Sequence, residues 1–235
     1  METINKTTEK MVFTGDVNVS LANAIRRSVA EIPTLAISEI DAYKNDSALY
    51  DEIIAHRLGL VSLKNQKMKE GETVEYKFSA KGEDEGVMIM ASELGSDVVY
   101  PETPIVLLGE GQEIELVARA KSGKGIDHAR YTPGLFTYKH LAKIKISGEG
   151  EKQTELAELH PNVFEMFGEK LKVKNASACE LDQDDMESYP GVDISFDNKL
   201  VFSIESWGQM DAKDIFTEAC KALKGNLSEV AKAIK

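Results

Sequence analysis

Apolar residues recur at Leu21, Ile25, Val29 and Ile32, spaced so that they fall on one face of a helix. Asn18 or Ser20 is suited to cap that helix, and Pro33 ends it, because the residue before a proline is pushed out of the α region. A short strand over 9–14 precedes it, and a strand from Thr34 to Tyr43 follows with Leu35, Ile37 and Ile40 turned inward. A second helix is predicted from Leu49 to Leu58. Asp51 and Glu52 lie in its first turn and His56 and Arg57 in its last, matching the helix dipole at both ends. Gly59 is expected just beyond it in a left-handed conformation, with Leu60 folding back. Strands are then predicted over 72–79, 86–92, 104–108, 112–120 and 140–147, with one short helix near 154–167. Alternation resumes over Gly191–Phe196 and Lys199–Trp207, reading as a hairpin that turns at Asp197-Asn198. Asp211 is placed to cap a closing helix whose stripe runs Ile215, Ala219, Leu223, Leu227, Val230, Ile234. Gly225 inside that pattern costs about 1 kcal/mol, so a bend or a weak point is expected there.

That last stripe is too long for so light a strand layer to cover. Either it packs into the chain's own core or it is a subunit interface, where it meets a counterpart on a partner. Charge narrows the partners. With 28 basic against 40 acidic residues the net charge is −12, so the chain by itself is poorly suited to displacing counterions from nucleic acid, and direct DNA binding is not expected. Its 235 residues suffice for one large domain or two small ones, and 42% hydrophobic with 29% charged residues is a globular composition. No apolar run approaches the ~18 residues of a membrane span, and the opening METINKTTEKMVF lacks a secretory core. Cys179 and Cys220 suit a reducing cytoplasm, which makes the Asn45 and Asn175 triplets chance matches to a glycan acceptor.

Catalytic signals are weak. Glu180, Asp182, Asp184, Asp185 and Glu187 form an acidic run that would suit Mg²⁺ or Ca²⁺, but the spacing fails that of a calcium-binding helix-loop-helix, and a solvated loop is expected. SGKG at 122–125 lacks the spacing of a phosphate-binding loop, and neither cysteine has a histidine beside it in sequence.

Three blocks nevertheless resemble one family. They are LANAIRR, EIPTLAI and NDSALYDEIIAHRLGL within 21–60; LLGEGQEIELVARAKSGKGIDHARYTP at 107–133; and FSIESWG at 202–208 with the amphipathic helix after it. In this order they are similar to the α-like subunits of cellular RNA polymerases, the archaeal α-like subunit and the eukaryotic third-largest subunit among them. The resemblance implies an α+β chain in two parts. Residues 1–42 with 191–235 would form a discontinuous dimerisation domain, a short sheet with two amphipathic helices, and 43–190 an inserted, mostly-β second domain. It implies a non-catalytic scaffold that pairs with a small subunit-L-like partner, the pair being the platform for the two large catalytic subunits and small assembly subunits. Carried over by position, Leu21, Ile25, Val29, Ile215, Ala219, Leu223 and Leu227 are the expected partner interface. Arg26, Arg27, Arg57, His128 and Arg130 are the expected contacts to the large subunits, since guanidinium groups suit bidentate pairing with carboxylates; for His56 a structural hydrogen bond is expected.

The chain departs from the family where some relatives hold an iron–sulfur cluster or zinc. Either centre needs about four thiolates, or thiolates with histidine, at close spacing. Here Cys179 stands alone near the first site and no cysteine lies between 80 and 100, while His128, His140 and His160 are scattered. No cluster, no zinc and no other cofactor are expected, with Asn175–Gly191 a shortened remnant. Two other functions compete: a metal-dependent enzyme using the acidic loop 180–187, and a stand-alone homodimeric scaffold.

Overall fold

A computed structural model describes residues 2–69, 71–83 and 86–234. In chain order its elements are strands β1 (Glu2–Lys6) and β2 (Lys10–Gly15), helix α1 (Val19–Ser28), strand β3 (Pro33–Asn45) and helix α2 (Asp51–Gly59). Strands β4 (Thr73–Lys81), β5 (Val87–Met90), β6 (Pro104–Leu108), β7 (Glu113–Lys124) and β8 (Gly134–Ile146) follow. The chain closes with helix α3 (Glu155–Leu159), strands β9 (Phe164–Phe167), β10 (Lys170–Val173) and β11 (Val192–Ser206), and helix α4 (Ala212–Ala233). The fold is α+β, and it divides into two compact units.

The larger unit gathers Thr7–Lys10, Asn23–Phe136 and the residues from Ile204 onward. Its base is a three-stranded antiparallel sheet in the order β3-β7-β4. Alternation on β7 turns Ile114, Leu116, Ala118 and Ala120 to one face, where they join Ile37 of β3, Phe78 of β4, Ile54 and Leu58 of α2, and Ile105 and Leu108 of β6 in one buried cluster. The other face carries cross-strand ion pairs: Arg119 with Asp41 and Glu75, and Glu113 with Lys44 at 2.6 Å and Lys81 at 2.8 Å. The two lysines hold the Glu113 carboxyl at about 2, down from its ordinary 4.5. A carboxyl whose folded value lies below its unfolded one stabilises above the unfolded value and loses that contribution as pH falls through the folded one. Glu113→Gln is therefore expected to lower the urea midpoint at neutral pH, the gap to the unaltered chain closing between pH 4.5 and about 2.

Helix α1 is capped by Asn18, whose Oδ1 accepts from the Leu21 N–H at 2.7 Å. Past Ser28 it tightens into a 3-10 turn at Val29–Glu31 before Pro33 opens β3. The second helix ends differently from the expectation. Gly59 is its last helical residue, with no positive φ. What the position requires is room, because a Cβ there would lie 3.1 Å from Nη1 of Arg130 and 3.4 Å from the Ile37 carbonyl.

The smaller unit gathers the residues up to Lys6, Met11–Ala22 and Thr137–Ser203. Its sheet runs β1-β2-β11-β8, with Phe13 and Phe202 stacked at 5.0 Å. Phe164, Leu156, Leu171, Val192 and Ile194 form its second cluster, and Cys179 is buried with them. Two expectations change here. The hairpin at Asp197-Asn198 is not formed: β11 runs unbroken through both residues. A two-residue hairpin loop needs a positive φ, and neither residue has one; Asp197 instead pairs with Lys143 of β8 at 3.2 Å. The helix expected over 154–167 stops at Leu159, and Phe164–Val173 form a β9–β10 hairpin turning at Gly168 (φ 65°). Strand β8, within the 43–190 range, has β11 as its neighbour in the sheet.

Candidate functional site

Helix α4 is the longest helix among the described residues, and its apolar stripe meets two environments. Its first turns are core: Ala212, Ile215 and Ala219 are fully buried, and Phe216 meets Phe136 edge-on at 6.1 Å. The 3-10 turn after α1 packs against the same helix. Leu223 is half-buried, and beyond it Leu227 is 61% exposed, with Val230 and Ile234 exposed as well. Gly225 sits in an unbroken helix with open space around it, so the expected bend does not interrupt the hydrogen-bonded helix. Of the residues named as the partner interface, Ile25, Val29, Ile215 and Ala219 are therefore buried within the chain, while Leu21, at 44%, and Leu227 face outward. Leu227, Val230 and Ile234 thus form an exposed apolar strip at helical spacing, which nothing among the described residues covers.

The charged candidates divide in the same way. Arg27 is exposed, and exposed Arg26 reaches back to Asn23 Oδ1 through Nε and Nη2. Arg57 donates from Nη2 to the Pro104 carbonyl at 2.8 Å, tying α2 to the start of β6, and His56 is exposed. The block from Gly123 to Arg130 works as an internal brace. Gly123 passes so close to the Tyr131 ring that a Cβ would lie 2.6 Å from it, and a Cβ on Gly125 would lie 2.6 Å from Thr132 Oγ1. Exposed His128 caps the 3-10 turn Ala129–Tyr131: its Nδ1 accepts from the Arg130 backbone N–H and from Arg130 Nε, both at 3.1 Å. Arg130 Nη1 donates to the carbonyls of Ile37 at 2.8 Å and Ser38 at 3.3 Å, where the ladder register slips between Ile37 and Glu39. Ser38 is the residue that the slip leaves without a register partner, and the guanidinium binds its carbonyl and that of Ile37 before it.

Two carboxylates of the acidic run turn onto its own backbone, and a third, that of Glu180, lies 3.9 Å from Lys139 Nζ. Asp182 Oδ1 accepts from the N–H groups of Asp184 and Asp185, and Asp185 Oδ2 accepts from that of Asp182. Among the described residues, no group of three His, Cys, Asp or Glu side chains is placed to hold a metal ion. Burial raises the pKa of both Cys179 and Cys220 above the ordinary thiol value. Both thiols are expected to react with a disulfide reagent in mildly alkaline buffer more slowly than free cysteine, until denaturant exposes them. Fast reaction of Cys220 in the native chain would show the middle of α4 to be open.

Residues 12–227 match the family model described as the RNA polymerase Rpb3/Rpb11 dimerisation domain. The chain is 36% identical over 231 residues to DNA-directed RNA polymerase subunit Rpo3 of Pyrococcus furiosus, covering 91% of this chain and 88% of that one. The Rpo3 subunit of Methanothermobacter thermautotrophicus is 32% identical over 256 residues, covering 96% and 95%. That of Natronomonas pharaonis is 31% identical over 230 residues, covering 93% and 90%.

Proposed function

The chain belongs to the RNA polymerase Rpb3/Rpb11 dimerisation family as an archaeal α-like subunit, and from that premise we propose which surface it assembles through. It is a non-catalytic assembly subunit of the multisubunit DNA-directed RNA polymerase. A metal-dependent enzyme built on the 180–187 loop and a stand-alone homodimer are not favoured. In our reading it pairs with a small subunit-L-like chain, and the pair is the platform for the two large catalytic subunits and small assembly subunits.

The observation supporting this is the uncovered end of the α4 stripe, Leu227, Val230 and Ile234, continuing from half-buried Leu223. A permanent interface commonly buries more than about 2,000 Å² and is more hydrophobic than a transient one, and these side chains would form part of its apolar centre. Arg26 and Arg27, exposed on α1, are our choice for contacts to a large subunit, ahead of Arg57, His128 and Arg130, whose bonds are already spent in part within the chain.

No helix among the described residues is long and apolar enough to cross a membrane, and we place the chain in the cytoplasm with the polymerase. We also propose that it holds neither iron–sulfur cluster nor zinc, since two cysteines are too few for a cluster and Cys179, Cys220 and the histidines are too scattered in sequence to make a zinc site. Metal analysis of the purified chain tests that. The assembly role is tested by co-expression with a subunit-L-like chain of the same host: a stable heterodimer is expected, and a chain whose solubility and oligomeric state ignore that partner would overturn it.

A further inference from the structure

The only tryptophan of the chain projects from a loop that is fixed in place. Ser206 Oγ donates to the Met210 carbonyl and accepts from the Gly208 N–H, and the Trp207 N–H donates to the Pro133 carbonyl at 2.9 Å. Gly208 holds a φ of 89° and passes so near Val99 that a Cβ would lie 2.4 Å from its Cγ1. A backbone tied at this many points still leaves Trp207 42% exposed, beside Tyr100 at 43% and Leu60 at 54%. These three side chains line a groove of about 320 Å³ together with Arg130, Thr132 and Gln209. A preorganised aromatic anchor beside an open pocket is how binding hot spots are built, because little rotamer freedom is lost on docking.

The groove also has a chemical preference. Among the described residues that line it, Arg130 is the one that carries a charge, in a chain of net charge −12. Its Nε and Nη1 are spent on His128, Ile37 and Ser38, while Nη2 makes no hydrogen bond among the described residues. Gln209 is buried, and its Oε1 has no donor there; rotation of that amide would present an acceptor to an occupant's N–H. We propose that this groove docks a polypeptide segment of another polymerase subunit, seating an apolar side chain among Trp207, Tyr100 and Leu60 and an adjacent carboxylate on Arg130 Nη2. The inference rests on the assembly role above and adds to it a second surface, separate from the α4 stripe. A nucleic acid is the poorer fit, since one guanidinium with a single unspent nitrogen can meet one carboxylate but cannot neutralise a run of phosphates.

The test compares the isolated chain with the polymerase purified from its host through a tag on this subunit, using hydroxyl-radical footprinting read by mass spectrometry. Oxidation of Trp207 is expected to slow at least about fivefold in the assembly, as for residues at the centre of an interface. Host strains carrying Trp207→Glu or Trp207→Lys add the charge test: Glu repels the carboxylate, so that chain should be stripped at lower salt than the Lys variant. Thermal melts of the isolated variants should match the unaltered chain, since the indole is not part of the core. Equal oxidation in both samples overturns the docking site, and equal salt release of the two variants overturns its acidic occupant. A polymerase preparation without this chain overturns the assembly role itself, whereas one that contains it with Trp207 unprotected overturns the groove alone.

Discussion

Replacing Leu227 with Asp is expected to abolish pairing with a subunit-L-like partner while leaving the isolated chain folded. At 61% exposure the side chain contributes little to the chain's own core, so the thermal midpoint should move by no more than a surface substitution does, within about 0.5 kcal/mol. Once a partner covers the position, the same carboxylate is buried without a counter-charge. That penalty runs to about 3–5 kcal/mol, or a loss of more than about a hundredfold in affinity. Size-exclusion chromatography with light scattering on the co-expressed pair reads the loss, and a melt of the single chain reads the control. Leu223→Asp is the less informative choice, because Leu223 is half-buried already and the change would act on folding and pairing together. Heterodimer at unaltered yield from folded Leu227→Asp chain would mean that the partner covers another face.

The interface residues show how far a stripe can be read. Apolar spacing places Leu21, Ile25 and the α4 series on helices that do form, and Asn18 and Asp211 bound them. Periodicity reports that a face is apolar, though, not what covers it. Ile215 and Leu227 look alike in sequence, yet one is core and the other exposed. The distinction depends on Phe136, which meets the neighbouring Phe216, and on the turn after α1, residues about 80 and about 185 positions before Ile215 in the chain. The Asp197-Asn198 turn fails for a related reason: the dipeptide suits a turn locally, but Lys143 supplies a charge partner across the sheet, and extended strand prevails. At Gly59 a local rule gives a conformational reason where the actual one is steric, and nothing nearby in sequence reveals that Arg130 comes to lie against it. The β9–β10 hairpin is legible in Gly168 between two short runs of apolar residues, but the helical signal of Glu155–Leu159 masks it. Trp207 is not legible as a surface residue, because a lone aromatic in a strand reads as core; only the loop geometry turns it outward.

The two halves of α4 should also separate under truncation. Ile215→Ala is expected to destabilise the larger unit by about 2–5 kcal/mol, the range for removing a fully buried aliphatic side chain. The cost should sit towards the upper end, since the surroundings are poorly placed to collapse. Gly134 of β8 is packed so tightly that a Cβ there would lie 2.2 Å from the Glu205 carbonyl and 2.9 Å from Ile215 Cδ1. Leu227→Ala, by contrast, should be nearly neutral in the isolated chain. Urea unfolding of both variants, followed by hydrogen exchange of α4 and β3 so that the larger unit is observed by itself, measures the difference. Pairing should respond in the opposite order. Below its melting range Ile215→Ala keeps the Leu227 face and should still form the heterodimer, its apparent affinity reduced only by the fraction unfolded, whereas Leu227→Ala should weaken pairing with no change in stability. If Ile215→Ala left stability untouched and abolished pairing, the buried half of α4 would be the docking element, and the exposed half would have no role in assembly.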